Sequence, residues 1–166
     1  MSPPRLLKGK RFEQKPKPVR PSPDFQDNCG VKYNLQLRTQ LNEIIDCIAN
    51  GQPIPGEYYK SNLDAHGDRM LREIGVKHLH LGGQGSDVIV YMAEFDTWVE
   101  LIEINTHVHL ESEPRGKELK GIFRIAAAAA VGAAAGATGE TVIRKRRKRR
   151  RKRRHSEAGL TTKERP

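Results

Sequence analysis

DVIVYMAEFDTWVELIEINTH, Asp87 to His107, alternates apolar and polar residues across two runs separated by one tight reversal, Phe95-Asp96-Thr97-Trp98. Val, Ile, Tyr, Phe and Trp are prominent in both runs and suit a pleated, half-buried surface, so the stretch predicts a β-hairpin. Upstream, Arg72 to Leu81 (REIGVKHLHL) predicts a third strand, joined to the hairpin by the glycine-rich segment Gly82-Gly83-Gln84-Gly85-Ser86. The three strands, the last running from Trp98 to Leu110, form an antiparallel meander that carries four of the six histidines.

Pairing Leu81 with Asp87 and Phe95 with Trp98 assigns each side chain to a face. One face then holds His78, His80, Val88, Val90, Met92, Leu101, Glu103, Asn105, His107 and His109. The other holds Leu79, Leu81, Ile89, Tyr91, Ala93, Ile102, Ile104, Val108 and Leu110. The second set is almost wholly apolar and should pack on a helix, leaving the histidine face open for chemistry. Asp87 falls opposite His80 and His107 in this register and joins them only through a twist or bulge. A slip of one residue at the glycine loop would turn His78 and His80 over.

The cover for the apolar face is the helix predicted over Asn34 to Asn50, where Leu37, Leu41, Ile44, Ile45 and Ile48 recur at steps of three and four. Asn34 can cap its start, and Gly51 and Pro53 stop it. The polar connection from Gly51 to Leu71 should then cross the surface. Helix and meander together predict an α+β domain spanning 31–112.

Outside that domain the composition changes. Met1 to Asp24 holds six of the ten prolines and seven lysines or arginines without apolar periodicity, which predicts an extended or disordered basic tail over 1–30 with no signal-peptide core. Cys29 and Cys47 suggest ordinary thiols rather than a disulfide framework. Residues 113–143 read as a polar linker followed by an alanine-rich helix; the uncharged part, Ile125 to Gly139, is short of the roughly 20 residues a bilayer requires. Residues 144–166 form a polybasic tail. Its block of eleven cations, Arg144, Lys145, Arg146, Arg147, Lys148, Arg149, Arg150, Arg151, Lys152, Arg153 and Arg154, should stay disordered and bind nucleic acid without sequence preference.

The net charge of +10 conceals a division. The eleven-cation block and the +6 of residues 1–23 leave residues 24–143 at −7. An RNA-cutting surface normally gathers cations, so the tails would supply what the acidic middle lacks.

Ile48-Ala49-Asn50-Gly51-Gln52-Pro53-Ile54-Pro55, Tyr59-Lys60, Arg72-Glu73, Asp87 to Tyr91 and Thr106-His107 together resemble the YafQ branch of the RelE/ParE superfamily of bacterial toxins. The resemblance covers roughly Leu35 to Leu110, and its most specific part is the ungapped spacing from Asp87 to His107. It implies a RelE/ParE-like fold of a helix on a small antiparallel sheet. It also implies a type II toxin of the cytoplasm that cleaves mRNA, usually in the ribosome, and is bound by a cognate antitoxin. Such an endoribonuclease, or mRNA interferase, uses no metal or other cofactor. A base takes the ribose 2′-hydroxyl proton and an acid protonates the leaving 5′-oxygen, tasks suited to histidine. Asp87 and His107 match two residues of the family site. The histidine that follows the family's Arg-acid pair falls on Gly75 here, and His80 stands in for it. His78 and His109 are supporting candidates, and Lys60, Arg72 and the polybasic block are candidates for holding phosphate. Val108-His109-Leu110-Glu111 replaces the aromatic residue that the family carries after its last histidine.

Three other readings compete. The histidines could be ordinary polar residues of a solvated sheet face. His78-His80 and His107-His109 could each present two rings to a metal ion, although a strand between them separates the pairs by about twice 4.8 Å. Finally, the domain could be a catalytically silent relative that binds nucleic acid or a partner through its polybasic tail.

Overall fold

The structure, a computed structural model, describes residues 4–59, 69–83, 85–119 and 121. Strand β1 (Val19–Asp27) leads into helix α1 (Leu35–Ala49), and the short helix α2 (Arg69–Ile74) runs into β2 (Val76–His80). Strands β3 (Ile89–Glu94) and β4 (Val99–Asn105) make the hairpin, and one helical turn, α3 (Val108–Glu111), follows. The sheet order is β1-β4-β3-β2; β2, β3 and β4 are antiparallel and β1 lies parallel to β4. The expected α+β class and meander are present, with a fourth strand added.

Helix α1 forms where its periodicity places it. The Asn34 side chain accepts a hydrogen bond from Leu37 N at 3.1 Å, satisfying one of the unpaired donors of the first turn. The chain leaves the helix through Gly51 at φ 67°, and Pro16 of the N-terminal arm lies where a Cβ would stand. That crowding requires glycine there as much as the backbone angle does. The buried residues Leu37, Ile44 and Ile48 form the inner stripe.

The sheet faces differ from the expected assignment. His80 pairs with Ile89, one residue out of the expected register, and Leu81 N donates to Val88 O. In β4 an extra residue, Ile102, sits between Leu101, which pairs with Met92, and Glu103, which pairs with Tyr91. The loop shift turns β2 over relative to β3, and the bulge turns the far half of β4 the same way. Leu79, Leu81, Val90, Met92, Leu101 and Ile104 therefore pack against α1. Ile89, Tyr91, Ala93 and Ile102, expected beneath α1, lie on the opposite face with Met70, Ile74, Phe95 and Leu119. That face carries a second apolar core instead of standing open.

The strand ends also differ. Arg72 to Ile74 belong to α2, whose Met70, Leu71 and Ile74 are buried at helical spacing. Gly75, at φ 74°, ends that helix where the Leu6 side chain occupies the space of a Cβ. Strand β4 stops at Asn105, so Val108 to Leu110 continue as a turn of helix.

The tail expected over 1–30 is corrected most. Leu6 bridges Phe95, Lys17 N donates to Ile48 O at 3.2 Å, and β1 pairs with β4 on both sides of an irregularity between Pro21 and Gln26. Pro21 and Pro23 are tolerated because β1 is an edge strand, where a missing N–H can face solvent. The arm is fixed from beneath by charge. Lys17 Nζ donates to Glu94 Oε1 at 2.7 Å and Glu13 Oε2 at 2.9 Å, while Lys77 Nζ donates to Glu94 Oε2 and to Arg11 O. Burial would raise the Glu94 carboxyl, but the two ammonium groups hold it below its ordinary value. The domain also reaches past residue 112, since Leu119 is fully buried. Lys60, the alanine-rich stretch and the polybasic block lie outside the described residues. Among the described residues no helix is long and apolar enough to cross a membrane.

Candidate active site

Three segments bring His80, Asp87 and His107 together at one end of the sheet. His80 ends β2, Asp87 lies in the loop entering β3, and His107 follows β4. The His80 and His107 ring centroids are 5.3 Å apart, and His78 extends the row, 5.8 Å from His80. The two register shifts act on strands either side of β3, so they cancel for this purpose and keep His78, His80 and His107 on one face. Asp87 precedes the regular strand and is not bound by its alternation. Its Oδ1 accepts a hydrogen bond from His107 Nδ1, which corrects the expectation that it faces away.

This bond defines the chemistry of the imidazole. A carboxylate can only accept, so Nδ1 carries the proton and Nε2 is the basic nitrogen of neutral His107. Nε2 is shielded from solvent and has no hydrogen-bond partner among the described residues. The His107 bond, assisted by the charge of His80, holds the exposed Asp87 carboxyl below the usual carboxylate range. An oriented imidazole, an ionised orienting group and an adjacent second imidazole can together perform acid–base chemistry.

His109 takes no part in this cluster. The helical turn of α3 carries it inward, where it is buried, Nε2 lies 2.8 Å from Glu103 Oε2, and its ring stands edge-on to Tyr91 at 5.2 Å. The expectation that His107 and His109 present two rings on one face fails because the strand ends before them. Among the described residues no group of three or more His, Cys, Asp or Glu side chains could hold a metal ion. Arg72 is exposed on α2 and shares no hydrogen bond or ion pair with the cluster among the described residues; its carbonyl accepts from Lys8 Nζ at 3.0 Å.

Sequence reasoning missed the residues that position His107. The buried Tyr91 hydroxyl donates to Thr106 O at 2.6 Å, and Thr106 N donates to Asn105 Oδ1 at 2.8 Å. Asn105 Nδ2 donates in turn to Glu103 Oε1 at 2.7 Å, joining the site to the buried Glu103–His109 pair. Burial would raise the Glu103 carboxyl, but its bonds to His109, Asn105 and Asn28 lower it. Burial, followed by the Glu103 charge, pushes the Tyr91 phenol up, so it stays protonated and donates. The signal available beforehand was a run of polar residues, Glu103, Asn105 and Thr106, ending an otherwise apolar strand.

Comparisons of the chain with protein-family models, curated proteins and solved structures give no match. The resemblance to YafQ-type toxins therefore rests on the residues of this chain alone.

Proposed function

We propose that this chain is a metal-independent endoribonuclease of YafQ type, acting on mRNA in the cytoplasm and held in check by an antitoxin. The observation that carries the reading is the convergence of Asp87, His107 and His80, whose chemistry suits transesterification at a ribose phosphate. His107 Nε2 is shielded in the structure, so the ribose must first displace its cover; oriented through Nδ1 by Asp87, it then takes the proton of the 2′-hydroxyl as that oxygen attacks the adjacent phosphorus. The bond from phosphorus to the 5′-oxygen breaks, and protonated His80 gives that oxygen its proton. The products are a 2′,3′-cyclic phosphate and a free 5′-hydroxyl. Substrate phosphates would be held by Lys60, Arg72 and the polybasic block, with the ribosome as the setting in which mRNA is presented.

The test is cleavage of a defined RNA by the purified full chain with and without EDTA, followed by end-group analysis. Cyclic or 3′-phosphate ends, undiminished by EDTA and lost in both His107→Ala and His80→Ala, are expected. Activity retained in both variants would reject the site, and abolition by EDTA would reject the mechanism. The −7 charge of residues 24–143 favours a second reading, a silent relative that binds nucleic acid through its tail. Binding without cleavage in the same assay, including on ribosomes, would identify it.

A further inference from the structure

The N-terminal arm builds a second polar site, far from the histidines. Residues 5–7 pair with the end of β3: Leu7 N donates to Glu94 O at 2.8 Å and Asp96 N to Arg5 O at 3.1 Å. After a loop the chain returns to the same strand, where Glu13 N donates to Glu94 Oε1 at 3.0 Å. The loop borders a half-open cavity of about 400 Å³ whose charged lining residues are Arg5, Lys8, Arg11, Glu13 and Glu94. That volume lies near the lower end of small-ligand sites.

The charges in this cavity do not balance. Both carboxylates are engaged from behind, Glu94 by Lys17 and Lys77 and Glu13 by Lys17. With Asp96, whose Oδ1 accepts from Arg5 N at 3.3 Å, five cations stand against three carboxylates, and the side chains of the three lining cations have no carboxylate partner among the described residues. Two of those three are held in place. Lys8 Nζ donates to Arg72 O, and the Arg11 guanidinium lies over the Tyr59 ring, 5.2 Å from its centroid. Each keeps further donors for a ligand, and Gly9 leaves the backbone between them uncovered by a side chain.

We propose that this cavity binds a phosphate ester, with Arg5, Lys8 and Arg11 as its ligands. Guanidinium and ammonium groups around a loop-bounded pocket match the tetrahedral charge of phosphate, and the volume admits the sugar or second phosphate attached to it. The occupant is not the phosphate of the proposed cleavage reaction. Glu94 and Ile89 are opposite ends of β3, about 17 Å apart at the rise of an extended strand, and the Glu94 side chain points to the α1 face whereas His80 and His107 lie on the other. The ester could be a free small phosphate or a backbone phosphate of RNA.

The experiment follows backbone amide resonances of the ¹⁵N-labelled full chain during titration with pyrophosphate, adenosine monophosphate and a non-cleavable 2′-O-methyl trinucleotide. Saturable shifts at Leu7, Lys8 and Gly9 are expected, with Kd rising about tenfold or more in Arg5→Gln and in Arg11→Gln. Response to pyrophosphate or the monophosphate alone identifies a free ester, and response to the trinucleotide alone identifies RNA. Shifts confined to residues 144–154, or reproduced by sodium chloride at equal ionic strength, would overturn the proposal. Because the Arg5 side chain makes no hydrogen bond or ion pair among the described residues, Arg5→Gln should fold normally. Parent-like affinity in that variant would also overturn the proposal. The outcome is independent of RNA cleavage, which His107→Ala removes without touching this cavity.

Discussion

His107 Nδ1 donates a hydrogen bond to Asp87 Oδ1 across 20 residues of sequence, joining the entry of one hairpin strand to the exit of the other. The hairpin sets these ends side by side, and the bond converts that proximity into a defined tautomer with its basic nitrogen turned from solvent.

Asp87→Asn should preserve the fold and lower cleavage about 10²-fold, since an amide can donate to Nδ1 and so favour the other tautomer. The carboxyl is held below its ordinary value, about 3.9, so it remains charged as pH falls through 5. Titration of Asp87 should then contribute nothing to any change of rate between about pH 7 and 5. Steady-state rates across that range check this; an acid limb abolished in Asp87→Asn would reassign the titration to Asp87.

Tyr91→Phe removes the hydroxyl that holds the Thr106 carbonyl beside His107. Stability should fall by about 1 kcal/mol for the unmet acceptor. The turnover rate should fall roughly tenfold through misplacement of the imidazole, while the pH profile keeps its shape. Denaturant melts and rate–pH curves separate the two effects; an unchanged rate would show that Thr106 holds its place without the tyrosine.

A histidine placed at Gly75, where the resemblance to YafQ-type toxins would put one, should damage the protein. The left-handed backbone there costs a non-glycine residue about 1–2 kcal/mol, and Leu6 must also leave its place in the second core. Urea unfolding of Gly75→His and Gly75→Ala should show both destabilised, the histidine variant more. A neutral Gly75→His would mean that the arm yields easily.

Glu94→Gln should cost about 3–5 kcal/mol at neutral pH, because two buried ammonium groups lose their common carboxylate. Glu94 has a folded-state value below its unfolded one, about 4.3. Its contribution is therefore complete above about pH 5 and is lost as pH falls through the depressed value. Chemical melts of parent and variant should converge as the solution is acidified from about pH 5 to 3; a constant difference would place the acid sensitivity elsewhere, with Glu103 the next candidate.

The sequence revealed elements whose side chains state their environment. The stripe from Leu37 to Ile48 announces α1, and the Asp87 to His107 alternation announces the hairpin. It did not reveal β1, because an edge strand with prolines is held by backbone hydrogen bonds and a few buried contacts that leave no alternation. The face assignment failed for a different reason. Ile102 is an ordinary apolar residue in an apolar run, and nothing in its identity marks it as the unpaired residue of a bulge. The meeting of His80, Asp87 and His107 was legible as a set of residues, but the contact between Asp87 and His107 depends on loop geometry that parity cannot describe.

The parallel pairing of β1 with β4 has a consequence for the order of assembly. The partners Val19 and Val99 stand 80 residues apart, and everything between them must exist before they can meet. Helix α1 and the hairpin can form from neighbours, but β1 closes the sheet only after β4 has emerged, through a long loop closure. Until β1 docks, the outer edge of β4 presents unpaired amides to any extended segment nearby. The proline-bearing arm that covers this edge is thus a late-closing latch, and its loss should raise aggregation by leaving the edge of β4 open.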